Sequence, residues 1–102
     1  MSTLSKRIKE ARLRTGLSQE QLGIRIGIDP ASASARMNRY ELGKRVPDLE
    51  LVERLAVELN LPAAYFYAKG DDEAELLLKF HQLDSAARAR LLAGLDSPDQ
   101  DW

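Results

Sequence analysis

The stretch that decides the fold is "LSQEQLGIRIGIDPASASARMNRYELGKRVPD", residues 17–48. Its middle places alanine and serine directly before a cluster of arginine, asparagine, tyrosine and glutamate. Ser18 can cap a helix and is followed three residues later by glutamine, as in a capping box. Asp29 can cap a further helix, and Pro30 suits its first position, where a missing N–H is no loss. The stretch therefore predicts two helices joined by a turn at Gly27.

Residues 30–42 divide into two faces when they are placed on a helical wheel. The inward face holds Pro30, Ala33, Met37, Tyr40 and Glu41. The opposite face holds Ser32, Ala35 and Arg39, with Ala31, Arg36 and Asn38 on its shoulders. Core packing gives no reason for small residues on an exposed face, so they predict close approach to a partner. A flexible alanine–serine linker is the other interpretation, but the cap before the stretch and "RYELG" behind it favour a helix.

The remainder of the chain also shows helical periodicity, and no segment alternates in the manner of a strand. A first helix precedes Thr15-Gly16, and Asp48 caps a fourth. A short fifth helix starts near Pro62, while "DDEAELLLKFHQL" and "DSAARARLLAGL" predict a sixth and a seventh. The predicted fold class is all-α, with residues 96–102 as a disordered tail.

Composition excludes several classes of function. The 102 residues contain no cysteine and one histidine, which leaves little for a metal site or a catalytic triad. No stretch approaches the roughly 18 apolar residues of a membrane span, and the N-terminus lacks the apolar core of a signal peptide. We expect a cytoplasmic, nucleoid-associated protein of bacterial or phage origin that has no cofactor, no metal, no membrane contact and no enzymatic activity.

Charge is distributed unevenly along the chain. The net charge is −1, but residues 1–45 contain ten basic and four acidic side chains, which give +6. Residues 46–102 contain five basic and twelve acidic side chains, which give −7. Because binding depends on local charge, the basic half predicts a polyanionic partner. A solvated basic surface without a partner is the plainer alternative.

Taken together, "LSQEQLGIRIGI" and "MNRYELGKRVPDLELVERLAVELNLP" resemble the helix-turn-helix domain of the Cro/phage-repressor type, the XRE family. The resemblance covers about residues 4–66. It implies a five-helix, lambda-repressor-like domain over residues 1–68, whose third helix enters the major groove of double-stranded DNA. One or two additional helices over residues 69–95 would serve dimerisation or bind a protein partner. The implied function is a transcriptional regulator, a repressor that binds a palindromic operator as a homodimer.

The candidate DNA contacts combine this resemblance with the chemistry of the side chains. Arginine can pair with guanine and asparagine with adenine, while small residues let the helix sit deep in the groove. The candidate base-reading residues are Ser32, Ala35, Arg36, Asn38 and Arg39. The candidate phosphate-binding residues are Gln19, Lys44, Arg45 and Arg14. The resemblance also implies a structural ion pair between Arg12 and Glu41, and a close helix crossing at Gly23.

The spacing before Met37 departs from the family pattern. Nine residues, 28–36, separate it from the turn glycine. Members of the family usually have about six there, so this chain has three or four extra residues, and four would be about one helical turn. The extra residues either lengthen the third helix or enlarge the turn.

Two other functions use the same fold. One is the antitoxin of a toxin–antitoxin pair, in which the C-terminal helices hold the toxin. The other is a protein-interaction module that does not read DNA, for which basic residues at Arg36, Arg39, Lys44 and Arg45 would have no purpose.

Overall fold

A computed structural model describes residues 2–96. Over this range the protein has six α-helices, one 3-10 helix and no strand, so the all-α prediction is confirmed. The α-helices are Thr3–Thr15 (α1), Gln19–Arg25 (α2), Pro30–Glu41 (α3), Leu49–Leu59 (α4), Asp71–Gln82 (α5) and Ser85–Leu95 (α6). The predicted tail, residues 96–102, lies outside the described residues except for Asp96. Within the described range, every helix is too short or too polar to cross a bilayer.

The helix starts follow the cap residues. The Ser18 hydroxyl accepts a hydrogen bond from the Gln21 backbone N–H (3.0 Å), and the Gln21 side chain accepts one from the Ser18 N–H (2.9 Å). Asp29 and Asp48 likewise accept from backbone N–H groups in the first turns of α3 and α4 (2.9 and 2.8 Å). Each cap satisfies a donor that the helix itself leaves unpaired, and so fixes where the helix begins.

The connection between α2 and α3 is short, because α3 already begins at Pro30. Only residues 26–29 separate the two helices. Gly27 has a φ of +95°, which an L side chain rarely adopts, and the Ile28 N–H bonds back to the Gly23 carbonyl at 2.9 Å. The extra residues before Met37 therefore lengthen α3 and do not enlarge the turn.

The core lies among α1, α2, α3, α4 and the 3-10 helix. Each of these elements contributes one or more fully buried apolar side chains, including Ile8, Leu22, Met37, Leu55 and Phe66. Full burial of such a side chain stabilises the fold by about 1.5–3 kcal/mol. This one cluster holds α2 and α3 in place.

The predicted fifth helix is not α-helical. Ala63–Tyr67 is a 3-10 helix in which the Tyr65 N–H bonds to the Pro62 carbonyl at 3.0 Å. The segment is five residues long and has no side-chain cap, so tight i→i+3 bonding replaces the α-helical pattern. It directs two neighbouring aromatic residues, Tyr65 and Phe66, into the core.

The C-terminal arm, residues 71–95, consists of α5 and α6. α5 packs on the core through buried Ala74 and the half-buried Leu77 and Leu78. α6 buries none of its residues. The Arg88 guanidinium donates to the carbonyls of Phe80 (3.1 Å) and His81 (2.9 Å), which joins α6 to the last turn of α5.

Candidate nucleic-acid interface

The outward side of α3 has a small-residue half and a polar half. Its exposed side chains, called the α3 face below, are Ala31, Ser32, Ala35, Asn38 and Arg39. Within residues 2–96, no hydrogen bond or ion pair engages the Arg39 guanidinium, so its five donors point to solvent. The small residues precede Arg39 along the helix and leave space around it. This surface can approach a flat or grooved partner closely and offer a cation to it.

A close crossing of α2 and α3 determines how far the α3 face projects. A Cβ added at Gly23 would lie 2.9 Å from the Ala33 Cβ and 3.1 Å from the Met37 Cγ. Real Cβ atoms essentially never approach to 2.9 Å, so any larger residue would push α3 away. Gly23 therefore accounts for the contact distance between the two helices.

Arg12 and Glu41 form a two-pronged ion pair beneath the end of α3. Arg12 Nε lies 2.7 Å from Glu41 Oε2, and Arg12 Nη2 lies 3.0 Å from Glu41 Oε1. A further Arg12 donor bonds to the Leu17 carbonyl at 3.0 Å. The hydrogen bonds that Arg12 donates to Glu41 raise the pKa of Arg12, although burial acts in the opposite direction. The pair links α1, the start of α2 and the end of α3.

Gln19 extends this network to the protein surface. Its side-chain amide donates to Asn38 Oδ1 and to Glu41 Oε1, each at 3.2 Å. The structure thus brings a candidate phosphate-binding residue, Gln19, into contact with a candidate base-reading residue, Asn38. It also orients the Asn38 amide, because its oxygen is engaged and its NH2 group is left to face outward.

The loop after α3 turns back onto the end of that helix. The backbone N–H groups of Lys44 and Arg45 both donate to the Arg39 carbonyl, at 2.9 and 3.3 Å. Gly43, with a φ of +73°, makes this reversal possible. Both basic side chains are exposed and form no ion pair within the described range. Lys44, Arg45 and Arg39 therefore form one basic region.

Arg36 does not lie on the α3 face. It is half-buried on the flank of the helix, where Nη2 donates to the Tyr40 hydroxyl at 2.7 Å. Its Nε is buried and has no hydrogen-bond partner. The wheel put Arg36 on a shoulder of the helix, and its side chain turns from there towards α4 and away from Arg39.

Arg14 lies in a different part of the molecule from the other candidates. Its guanidinium sits 5.4 Å from the Tyr65 ring centroid and 3.6 Å from Glu10 Oε1. It lines a groove between α1 and α5 together with Asp71. No contact in the structure brings Arg14 to the α3 face.

No local pattern predicted the role of Arg7, which is completely buried. Arg7 Nε donates to the Ala68 carbonyl (3.0 Å), and Nη1 lies 2.8 Å from Glu10 and 3.1 Å from Asp71. Burial lowers the pKa of Arg7, but the hydrogen bonds that it donates to Glu10 and Asp71 outweigh that effect, so the pKa is raised. Arg7 fastens the start of α5 to α1. Its partners near residue 70 are too distant in sequence for any local pattern to reveal them.

Across residues 2–96, no three His, Asp or Glu side chains converge to hold a metal ion.

The geometry described above can be compared with known proteins. A helix-turn-helix domain family matches residues 3–64. The chain belongs to the XRE-type helix-turn-helix transcriptional regulators. As a member of this family, the protein is a DNA-binding transcriptional regulator, which confirms the family prediction made from the residues.

Two relatives of this regulator extend the comparison beyond the domain. The cryptic phage CTXphi transcriptional repressor RstR of Vibrio cholerae is 28% identical over 97 residues, covering 95% of this chain and 78% of RstR. The crystal structure of the transcriptional regulator BswR matches with a TM-score of 0.86 and 42% identity, covering 94% of this chain and 93% of that one. Both matches cover more of the chain than the domain alone, so these relatives share part of the C-terminal arm.

Proposed function

We propose that this regulator is a repressor that binds a palindromic operator as a homodimer, with α3 of each subunit in the major groove. The α3 face carries the proposal, because it combines small side chains with an unpaired arginine beside a basic loop. A groove of about 12 Å width admits one helix, provided that the side chains facing the bases leave enough clearance. The similarity to RstR, a transcriptional repressor, supports repression as the outcome of binding.

Base recognition is assigned to the α3 face. Arg39 has all its donors open and suits the O6 and N7 acceptors of guanine. Asn38, whose oxygen is held by Gln19, presents its NH2 group to an acceptor such as adenine N7 or a phosphate oxygen. Ser32 can donate or accept at short range, and Ala35 can contact a thymine methyl group. Each good bidentate contact contributes about 1–3 kcal/mol of discrimination.

Phosphate binding is assigned to Gln19, Lys44 and Arg45, which flank the α3 face at its C-terminal end. If each subunit neutralises two phosphates with Lys44 and Arg45, a dimer releases the counterions of four. The logarithm of the binding constant should then fall with the logarithm of salt at a slope of about −3.6. Arg14, stacked on Tyr65, has no part in this assignment.

Dimerisation is assigned to the C-terminal arm. Leu76, Leu92 and Leu95 are about half exposed on it, and α6 buries nothing within its own chain. A second copy is the partner that a two-fold operator requires, because one domain reads only a few base pairs. Two arms that pack together would cover these leucines and hold the two α3 helices about one turn of DNA apart.

The proposal is tested by selecting bound sequences from a random duplex pool at a stated salt concentration. The wild-type protein should enrich a two-fold symmetric motif, and Arg39→Ala should lose the preference at a defined position in each half. Lys69→Ala removes an exposed cation that lies before the C-terminal arm and should leave the motif unchanged. A pool without an enriched motif would contradict operator binding and favour the protein-interaction module. An asymmetric half-motif bound by a monomer would favour the antitoxin function, in which the C-terminal arm binds a toxin and not a second copy.

A further inference from the structure

A cleft of about 270 Å³ lies beside α3, between its flank, the turn before it and the start of α4. Its polar side chains are Arg36, Tyr40, Arg45, Asp48, Glu50 and Arg54. This volume is just below the roughly 300–1,000 Å³ of pockets that hold drug-sized ligands. The cleft therefore suits a small ion, or a single group of a larger molecule.

The donors of Arg36 are poorly satisfied inside this cleft. The Tyr40 hydroxyl accepts from Nη2 at 2.7 Å and holds the guanidinium in place, while Nε is buried with no acceptor. Among residues 2–96, no carboxylate comes within ion-pair distance of Arg36. Nη1 has no hydrogen-bond partner within residues 2–96 and is not among the buried atoms, so Nη1 and the second proton of Nη2 are open to a ligand oxygen.

The acidic side chains of the cleft are already engaged. Glu50 pairs with Arg54 at 2.7 Å, and Asp48 accepts from the Leu51 N–H at 2.8 Å to cap α4. Arg45 is exposed and has no acidic partner within the described range. With Glu50 paired to Arg54, Arg36 and Arg45 outweigh Asp48 by one positive charge, and the planar fork of a guanidinium matches the oxygens of a phosphate.

We propose that the cleft binds a phosphate-type oxyanion, with Arg36 as its two-pronged ligand and Arg45 as the second cation. Arg36 then contacts a phosphate and not a base, contrary to the expectation from its position beside the α3 face. The oxyanion comes either from a DNA backbone phosphate or from a free phosphate ion. The DNA source rests on the proposed function, whereas the free ion does not.

The free ion is tested by thermal unfolding in increasing inorganic phosphate, with chloride added to keep ionic strength constant. Phosphate stabilises most proteins by exclusion from their surface, so the readout is the difference between variants. The unfolding midpoint of the wild type and of Lys69→Gln should rise further with phosphate than that of Arg36→Gln. Arg45→Gln, at an exposed position, tests the same cleft if Arg36→Gln does not fold.

The DNA source is tested by measuring affinity for the selected duplex across a range of salt. Arg36→Gln should flatten the slope of log affinity against log salt by up to about 0.9 per subunit, since Arg45 stays on the same phosphate, and should keep the preferred sequence. Lys69→Gln removes an exposed cation that lies before the C-terminal arm, and it should keep the wild-type slope. An altered base preference with an unchanged slope would make Arg36 a base-reading residue and overturn the proposal. So would the absence of any effect in both experiments.

If the protein does not bind an operator, the outcome differs from a failure of the cleft proposal. In that case the wild type itself enriches no sequence, while the phosphate titration still decides whether the cleft binds an oxyanion.

Discussion

Arg12 and Glu41, 29 residues apart, are joined by two hydrogen bonds of 2.7 and 3.0 Å, and Glu41 is only 2% exposed. The same carboxylate accepts from Gln19, which in turn holds Asn38. One buried acid therefore supports both the packing of α1 against α3 and the orientation of a proposed DNA contact. A change at Glu41 should affect stability and binding together.

Glu41→Gln should destabilise the protein by about 3 kcal/mol, because it leaves the half-buried Arg12 guanidinium without its counter-charge. The measurement is the free energy of unfolding from urea titration. Glu50→Gln makes the same chemical change in the exposed pair with Arg54 and should cost less than about 1 kcal/mol. Equal losses of unfolding free energy in the two variants would show that the Arg12–Glu41 pair stabilises the fold no more than the exposed pair does.

Gly23→Ala should destabilise the protein by about 1–3 kcal/mol, because its methyl group overlaps the Ala33 side chain at the α2–α3 crossing. Intrinsic helix propensity alone predicts a gain of about 1 kcal/mol. Gly94→Ala in α6 is the matched control, since an added Cβ there meets nothing within 4 Å. It should stabilise α6, and thermal unfolding of both variants measures the contrast. A stabilised Gly23→Ala protein would contradict the tight crossing.

Leu92→Glu should shift the protein from dimer to monomer, because it places a charge on the apolar surface of the C-terminal arm. Sedimentation equilibrium measures the shift, and affinity for a two-fold operator should fall with it. Val57→Glu is the control, since Val57 is 83% exposed on α4, away from the arm. If Leu92→Glu remains dimeric, the subunits associate through another surface.

Stability should depend on pH through Asp71. Hydrogen bonds from Lys6 and then Arg7 lower the pKa of Asp71 below its ordinary value. The folded state therefore holds its proton less tightly than the unfolded chain, whose value is about 3.9. The stabilisation is complete above that pH and is lost as pH falls through the lower folded pKa.

Asp71→Asn should flatten the loss of stability as the pH falls below about 4, the ordinary pKa of an aspartate. Denaturant unfolding at each pH measures this. Asp72→Asn removes the same charge one residue further on and leaves the ion pairs of Lys6 and Arg7 intact. If the free energy of unfolding of the wild type and of Asp71→Asn depends on pH in the same way, the protonation of Asp71 does not contribute to acid unfolding.

Local features of the chain predicted most of the fold. Ser18, Asp29 and Asp48 mark the helix starts because capping depends only on residues within a few positions. The apolar period of 3.6 residues identified the inward side of α3, including Met37 and Tyr40. The 3-10 form of Ala63–Tyr67 was not foreseen, since α and 3-10 turns share the same short-range signals.

The candidate site was less predictable where long side chains are involved. A helical wheel gives the direction of Cβ, but an arginine extends several bonds further and takes its place from whatever acceptors are near. Arg36 turns to Tyr40, four positions on, which spacing could have suggested. Arg14 stacks on Tyr65 and Arg7 bonds to the chain near residue 68, and only the tertiary fold brings those partners close.

The longer start of α3 carries residues that can face a partner without supporting the fold. Ala31, Ser32 and Ala35 are exposed, and their side chains form no hydrogen bond or ion pair within the described range, so replacements there should alter the free energy of unfolding by no more than about 0.5 kcal/mol. Related regulators could thus acquire new operator preferences at these positions one substitution at a time, without first having to gain stability elsewhere.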